Sequence, residues 1–504
     1  IIRTGAHRLN IRVKIADFSA EAYFECDEGS AECGGKEFRL PPRFSAQAST
    51  SEKIEFALRL YHLHWEKSAI EILKSLPEEL ACQVDIIPVG ERWEGRGIPR
   101  FWLVKGGFAR QSESAAWREE AVSILPAELA RRMEIEGGVY RKYPSAVSRR
   151  VSLKPLNGQP FFQSSLIRLH APLGIKFKKA PVGETFHWEH TEDLWFNGHL
   201  ELRAGENGLL VINELPLEDY LASVNSSEMS AQSPLEFLKA QTIAARGTVL
   251  ATMGCHHYGE PYHLCNGDHC QCFYGVSRVN EQSIEAAEST AGQVLLHNRI
   301  IADTRYAKIC GGMRESFDNV WEEYNPPYLP AVFDGDAGNF RFRGWEHYVF
   351  DRPRCWCNPE IYPYPDYYDF ARDLFRWREA FTFDEIGEII RRGTGCDIGA
   401  LEEIAPLNRG ASGRIIRLML QGDGGEIRIN GELNVRRALS PSHLPSSCFT
   451  VEREDERIIL HGAGWGHGVG MCQMGALNMA LRGADCVKIL KHYYPHTELV
   501  DFFG

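Results

Sequence analysis

Three groups of residues in this chain have the types and spacing for chemistry. One is Glu228, in the stretch LPLEDYLASVNSSEMSAQSPLEFLKAQTIAARGTVLATMG, a carboxyl set beside Met229 between two apolar-periodic segments. Partly desolvated, such a group can give and take a proton; left in solvent it is an ordinary surface carboxylate. A second group is the run Gly464, Gly466, Gly468 and Gly470, which alternates around Trp465, His467 and Val469 and leads into Gln473. Glycine permits positive φ and close backbone approach, so this run predicts a bare loop presenting one imidazole and one amide. A dinucleotide fingerprint does not fit, because no apolar strand and crossover surround the run and no acidic residue follows at ribose distance. The third group is His257, Cys265, His269 and Cys270, two imidazoles and two thiols within fourteen residues. That is a donor set for tetrahedral zinc, with His256, His263 and Cys272 as competing ligands and a disulfide or free thiols as the alternative. Four protein ligands leave the ion no open position, so zinc held there is structural and a zinc hydrolase is disfavoured.

The elements around these residues follow from periodicity. Pro216 suits the first turn of a helix whose Leu217, Tyr220, Leu221 and Val224 share a face. A break at residues 225–227 would leave Glu228 in a short connection close to the start of a second helix. Ser233, Pro234 and Glu236 read as a capping box for that helix, with Leu238, Ala245 and Val249 inside and Gly254 near its stop. After the glycine run the spacing turns helical again. At the front, LNIRVKIADF alternates as a strand, one or two helices follow over 51–76, and CQVDIIPVG returns as a strand. The stretch PRFWLVKGGFARQSESAAWREEAVSIL repeats the passage from strand to helix, and residues 152–212 read as hairpins with Asn-Gly turns. These readings divide the chain into a module over 1–92, a second over 93–150, and a large domain over 151–504 with an acidic, aromatic insertion at about 333–404. Trp345, Tyr348, Trp356, Tyr362, Tyr364, Tyr367 and Tyr368 of that insertion are either stacking faces for sugar rings or a core plug. The fold class is α+β with a large antiparallel component.

Composition narrows the functional classes. The 504 residues carry 68 acidic against 56 basic side chains, a net charge of −12, which argues against a nucleic-acid partner. No apolar run reaches membrane-spanning length. Neither an initiator methionine nor a leader stands at Ile1, so the sequence reads as a mature or trimmed chain. Of the fourteen cysteines, Cys26 and Cys33 are a candidate pair around a glycine-containing loop, and Cys355 and Cys357 form a C-W-C step without an assigned purpose.

The Glu228 and glycine-rich blocks, with HHYGEPYHLCNGDHCQCFYG, ICGGMRESFDNVWEEYNPPYLPAV, SGRIIRLMLQGDGGEIRINGELNVRRAL and LPSSCFTV between them in that order, resemble the SpoIID/LytB family of peptidoglycan lytic transglycosylases and amidase enhancers. The resemblance covers about 213–499. It implies cleavage of the β-1,4 bond between N-acetylmuramic acid and N-acetylglucosamine in peptide-free glycan strands, outside the cytoplasmic membrane. Glu228 takes the place of the catalytic glutamate by the motif SSEMS. Arg246, Gln271, His467 and Gln473 match positions expected around a groove as donors to the sugar, and the metal quartet matches a family zinc site. Cys310 and Cys472 occupy places where small residues, often serine, stand in the family pattern; they read as small buried residues. A non-catalytic, glycan-binding partner of a cell-wall amidase is the alternative. The second front module also weakly resembles the SPOR domain, a small α/β unit that binds peptide-free glycan; a generic packing module is the other reading.

Overall fold

A computed structural model describes residues 9–18, 21–50, 55–142, 149–156, 162–183, 189–205, 207–267, 269–336 and 340–502. The alternation in Asn10–Phe18 turns Ile11, Val13 and Ile15 into the core. This strand pairs antiparallel with Leu209–Pro216, from Asn10 opposite Pro216 to Phe18 opposite Leu209. It also pairs in parallel with Leu264–Cys265. The first strand therefore belongs to the sheet that feeds the Glu228 helix, and the module expected over 1–92 does not exist as a unit. Its apolar face is matched by a strand two hundred residues away, a pairing that local periodicity does not encode. A seven-stranded and a six-stranded sheet close on one core that includes Phe24, Phe44, Phe177, Leu202 and Val211.

Residues 55–142 form a separate layer. Strands Glu55–Leu63, Asp85–Val89, Arg100–Phe108 and Gly138–Lys142 make one antiparallel sheet in which Glu55–Leu63 and Arg100–Phe108 are central. With helices Glu66–Ser75, Gln111–Ile124 and Ala127–Glu136 the order is β-α-β-β-α-β. The boundary expected at 92/93 cuts this sheet, because Asp85–Val89 pairs with Arg100–Phe108 across it. Neither half buries its apolar face alone; Leu58, Leu60 and Ile72 share a core with Leu103, Ala121 and Met133. His64 fastens the unit to the rest of the chain, with Nε2 3.1 Å from Glu322 Oε1 and its ring 3.9 Å from that of Tyr324.

The aromatic segment fills a core. Tyr348, Tyr364 and Tyr368 are buried, and Trp356 stacks on Tyr362. Residue 404 is not its end: Arg376–Thr382 pairs with Arg457–Ala463, and Leu401–Arg409 with Ile415–Gly422. These strands share a core with Ile386, Leu418 and Leu460. All fourteen cysteines are free thiols. Cys26 is buried against Gly29 while Cys33 ends a hairpin opposite Lys36, so the candidate pair does not form. Mixed helices and antiparallel sheets make the fold α+β.

Candidate active site and metal centre

Glu228 is the last residue of the helix Leu217–Glu228, one turn further into the helix than the sequence suggests. The helix continues through residues 225–227 because its polar positions find partners in the core. Asn225 Nδ2 donates to Thr242 Oγ1 at 2.6 Å, and the Ser223 hydroxyl donates to the Gly275 carbonyl. Leu217, Tyr220, Leu221 and Val224 are buried as their spacing predicts. The next helix, Leu235–Thr252, starts from Pro234 without a side-chain cap. The capping box fails because Ser233 Oγ lies 2.9 Å from the Tyr368 hydroxyl, in the aromatic segment. The same phenol accepts from Ser230 N at 2.6 Å, so this segment braces the turn directly after Glu228.

The Glu228 side chain is half-buried. Its Oε1 accepts from Cys272 N at 2.9 Å and from the Tyr306 hydroxyl at 3.4 Å. Burial, then the negative charge of Glu228, pushes the Tyr306 phenol well up, which keeps it a donor. Lys308 Nζ donates to the Glu228 carbonyl and lies 3.3 Å from Met229 Sδ. A cation at a helix C-terminus satisfies a last-turn carbonyl and offsets the negative end of the dipole. Tyr306 and Lys308 were not singled out from sequence, although their spacing by two puts both on one face of an extended segment. Beyond Lys308, Trp465 lies 5.9 Å from its ammonium, and Phe370, 60% exposed, lies edge-on to Trp465 at 6.3 Å.

The residues expected as sugar donors are placed differently. Arg246 is fully buried and grips the carboxylate of Glu218, with Nη1 donating to the Gln293 carbonyl at 2.9 Å. Gln271 accepts from the Tyr220 hydroxyl at 2.9 Å and donates to the Ala245 carbonyl at 3.2 Å, and Gln473 donates to Gln241 at 3.3 Å. His467 is half-buried; its Nδ1 accepts from Val469 N at 3.0 Å, which puts the ring proton on Nε2. Burial, then Arg305 and Arg414, holds its pKa well below the usual histidine range, so the ring is neutral. Its edge meets Trp321 at 4.8 Å. The glycine run has a packing reason. A Cβ on Gly468 would strike the buried Arg414 guanidinium and one on Gly470 the Arg305 carbonyl. The loop packs along 305–311, with Met471 opposite Tyr306 and Trp465 opposite Ile309, so Tyr306 and Lys308 stand between it and Glu228.

His257, Cys265, His269 and Cys270 come together as expected, their donor atoms all within 4.8 Å of one another. His257 Nε2 lies 3.2 Å and His269 Nδ1 3.4 Å from Cys270 Sγ. His257 adopts the left-handed backbone (φ 53°), which turns its ring into the quartet. Of the competitors, His256 Nδ1 is 3.8 Å from Cys270 Sγ, and His263 Nδ1 accepts from Arg12 N instead. The donor set fits a metal ion. Two residues after Cys270, the Cys272 N–H holds Glu228, so the quartet and the carboxyl share one loop.

Residues 205–297, which hold Glu228 and the quartet, match the family model described as Stage II sporulation protein. Over these residues the chain carries a domain similar to the SpoIID/LytB family. Its SpoIID-type relatives support a cell-wall function of the SpoIID/LytB type. Residues 315–470 match a model described as a domain of unknown function, DUF8618. An uncharacterized protein of Brachyspira hyodysenteriae is 28% identical over 338 residues, 66% of this chain and 80% of that protein. The Amidase enhancer of Bacillus subtilis is 26% identical over 298 residues, 56% of this chain and 40% of its own length. Stage II sporulation protein D of Bacillus subtilis is 24% identical over 306 residues, 57% of this chain and 75% of the relative. Among the described residues, no helix is long and apolar enough to cross a membrane.

Proposed function

We propose that the chain is a lytic transglycosylase that cuts the β-1,4 bond between N-acetylmuramic acid and N-acetylglucosamine in peptide-free peptidoglycan strands, leaving 1,6-anhydro ends. Such a substrate puts its work outside the cytoplasmic membrane. The observation that carries this reading is the half-buried Glu228 carboxyl, its Oε1 held by Cys272 N and the Tyr306 hydroxyl, at a surface edged by Lys308, Trp465 and Phe370. As the acid, Glu228 protonates the leaving glycosidic oxygen. As the conjugate base, it takes the proton of the muramyl C6 hydroxyl while that oxygen attacks C1. The proton is returned and no water is consumed.

Hydrolysis by a glycosidase ordinarily uses two carboxyl groups across the scissile bond. Of the acidic residues in the Glu228 block and the quartet loop, Glu218 is 4% exposed and locked to Arg246, and Asp268 lies outside the described residues. An intramolecular attack needs no second carboxyl and gains from proximity. Aromatic faces at Trp465 and Phe370 suit the C–H side of a sugar ring. His257, Cys265, His269 and Cys270 would hold a structural zinc ion whose contribution is to fix the loop carrying the Cys272 N–H. The relative named Amidase enhancer supports a second reading, a glycan-binding partner of an amidase with no turnover.

Glu228→Gln tests the proposal. The amide keeps the shape but relays no proton, so cleavage of peptide-free strands should fall by about 10²–10⁴-fold while glycan binding persists. Turnover like that of the unaltered chain would remove Glu228 from the chemistry.

A further inference from the structure

A second cluster of ligating side chains lies in the core, apart from the Glu228 loop. Cys310, Asp334, Cys357 and Cys472 bring one donor atom each to within 4.8 Å of one another, and none is more than 3% exposed. Cys310 Sγ is 3.6 Å from Cys357 Sγ and 3.5 Å from Asp334 Oδ2. Four separate segments supply them. Cys310 follows the Tyr306–Lys308 face, and Asp334 N donates to Gly312 O at 2.8 Å. Cys357 ends the C-W-C step, and Cys472 precedes the helix Gln473–Leu481.

We propose that Cys310, Asp334, Cys357 and Cys472 hold a second, structural zinc ion. A tetrahedral ion with sulfur at about 2.3 Å and oxygen at about 2.0 Å sets its ligands roughly 3.8 Å apart for S to S and about 3.5 Å for S to O. The Cys310–Cys357 and Cys310–Asp334 separations match, and the remaining donor atoms lie within 4.8 Å. The Cys310–Cys357 separation is too long for a disulfide, whose sulfurs sit about 2.05 Å apart. Three converging thiols and a carboxylate, all shielded from solvent, form a thiolate-rich set that selects zinc among common divalent ions.

The surroundings are built as an outer shell. Gly312 N donates to Cys310 Sγ at 3.4 Å and Cys310 N to Cys472 Sγ at 3.3 Å, backbone donors of the kind that steady thiolates. His492 Nε2 lies 2.8 Å from Asp334 Oδ1, and the Tyr493 hydroxyl donates to Oδ2 at 3.2 Å. Binding would exchange thiol protons for the ion, with no change of oxidation state. Cys355, whose sulfur is 3.9 Å from that of Cys357, stands outside the quartet. The ion would pin the aromatic segment and the exit of the glycine-rich loop to the residue two places after Lys308. This inference is independent of the proposed activity.

The test is metal analysis and zinc-edge X-ray absorption on the purified full chain. We expect two zinc ions per chain, with five sulfur, two nitrogen and one oxygen ligand shared between them. Cys310→Ala should remove one ion and leave a shell of two sulfurs and two nitrogens. Cys265→Ala should remove the other and leave three sulfurs and one oxygen, and Cys355→Ala should keep both. If Cys310→Ala does not fold, the shell of the unaltered chain decides by itself. A single zinc with two sulfur and two nitrogen ligands, or a Cys310–Cys357 disulfide found by alkylation and mass spectrometry without reductant, overturns the proposal.

Discussion

Glu228 and Arg246 stand on consecutive helices, and both are polar residues in a strongly apolar stretch, yet their surroundings are opposite. Glu228 is half-buried at a helix end, with Oε1 held by a backbone N–H and a phenol. Arg246 is sealed in mid-helix, its guanidinium shared among Glu218, the Gln293 carbonyl and Thr290. A group that must pass a proton to a substrate has to remain accessible, whereas a buried charge is tolerated only when its hydrogen bonds are filled. On the proposed reading, the polar residues of this apolar block divide into an accessible acid and a buried scaffold, and exposure tells them apart.

The largest effect should come from the scaffold side. Arg246→Ala leaves Glu218 buried without its partner and should cost about 3–5 kcal/mol of stability, read by denaturant unfolding. A folded, stable Arg246→Ala that binds glycan poorly would return Arg246 to the groove and erase the contrast.

Chelation, or Cys265→Ser, should be next in size. Loss of the ion from the first quartet should lower Tm, by roughly 2–4 °C for each kcal/mol lost in a chain of a few hundred residues. The loop over 265–272 should loosen before the chemistry changes. Activity that falls on chelation in a fully folded protein and returns with other metals at a shifted pH optimum would point to a catalytic ion.

Lys308→Met should have the smallest effect. Removing one donor from the Glu228 carbonyl should lower kcat about tenfold with KM little changed, worth about 1.4 kcal/mol, and Lys308→Arg should recover most of it. An unchanged kcat would show that Lys308 only decorates the helix end.

What the sequence discloses depends on how far apart the partners lie. The first quartet is legible because its ligands fall within fourteen residues. The second is not, since positions 310, 334, 357 and 472 become neighbours only through the packing of four segments. The helix bearing Glu228 shows in its apolar spacing, but its true end does not, because Asn225 and Ser223 are satisfied by Thr242 and Gly275 on other elements. The strand partners at the front of the chain are hidden for the same reason: Asn10–Phe18 pairs with Leu209–Pro216, and Asp85–Val89 with Arg100–Phe108 across the 92/93 boundary. His467 and Gln473 sit in a loop whose glycines look like a site and are required by Arg414 and Arg305 behind them.

The central claim, that one carboxyl drives an intramolecular attack, is tested most directly by the source of the oxygen at the new end. Peptide-free strands digested in heavy-oxygen water should give unlabelled 1,6-anhydro ends, one water lighter than a hydrolytic product. Labelled reducing ends would contradict it and require a second carboxyl.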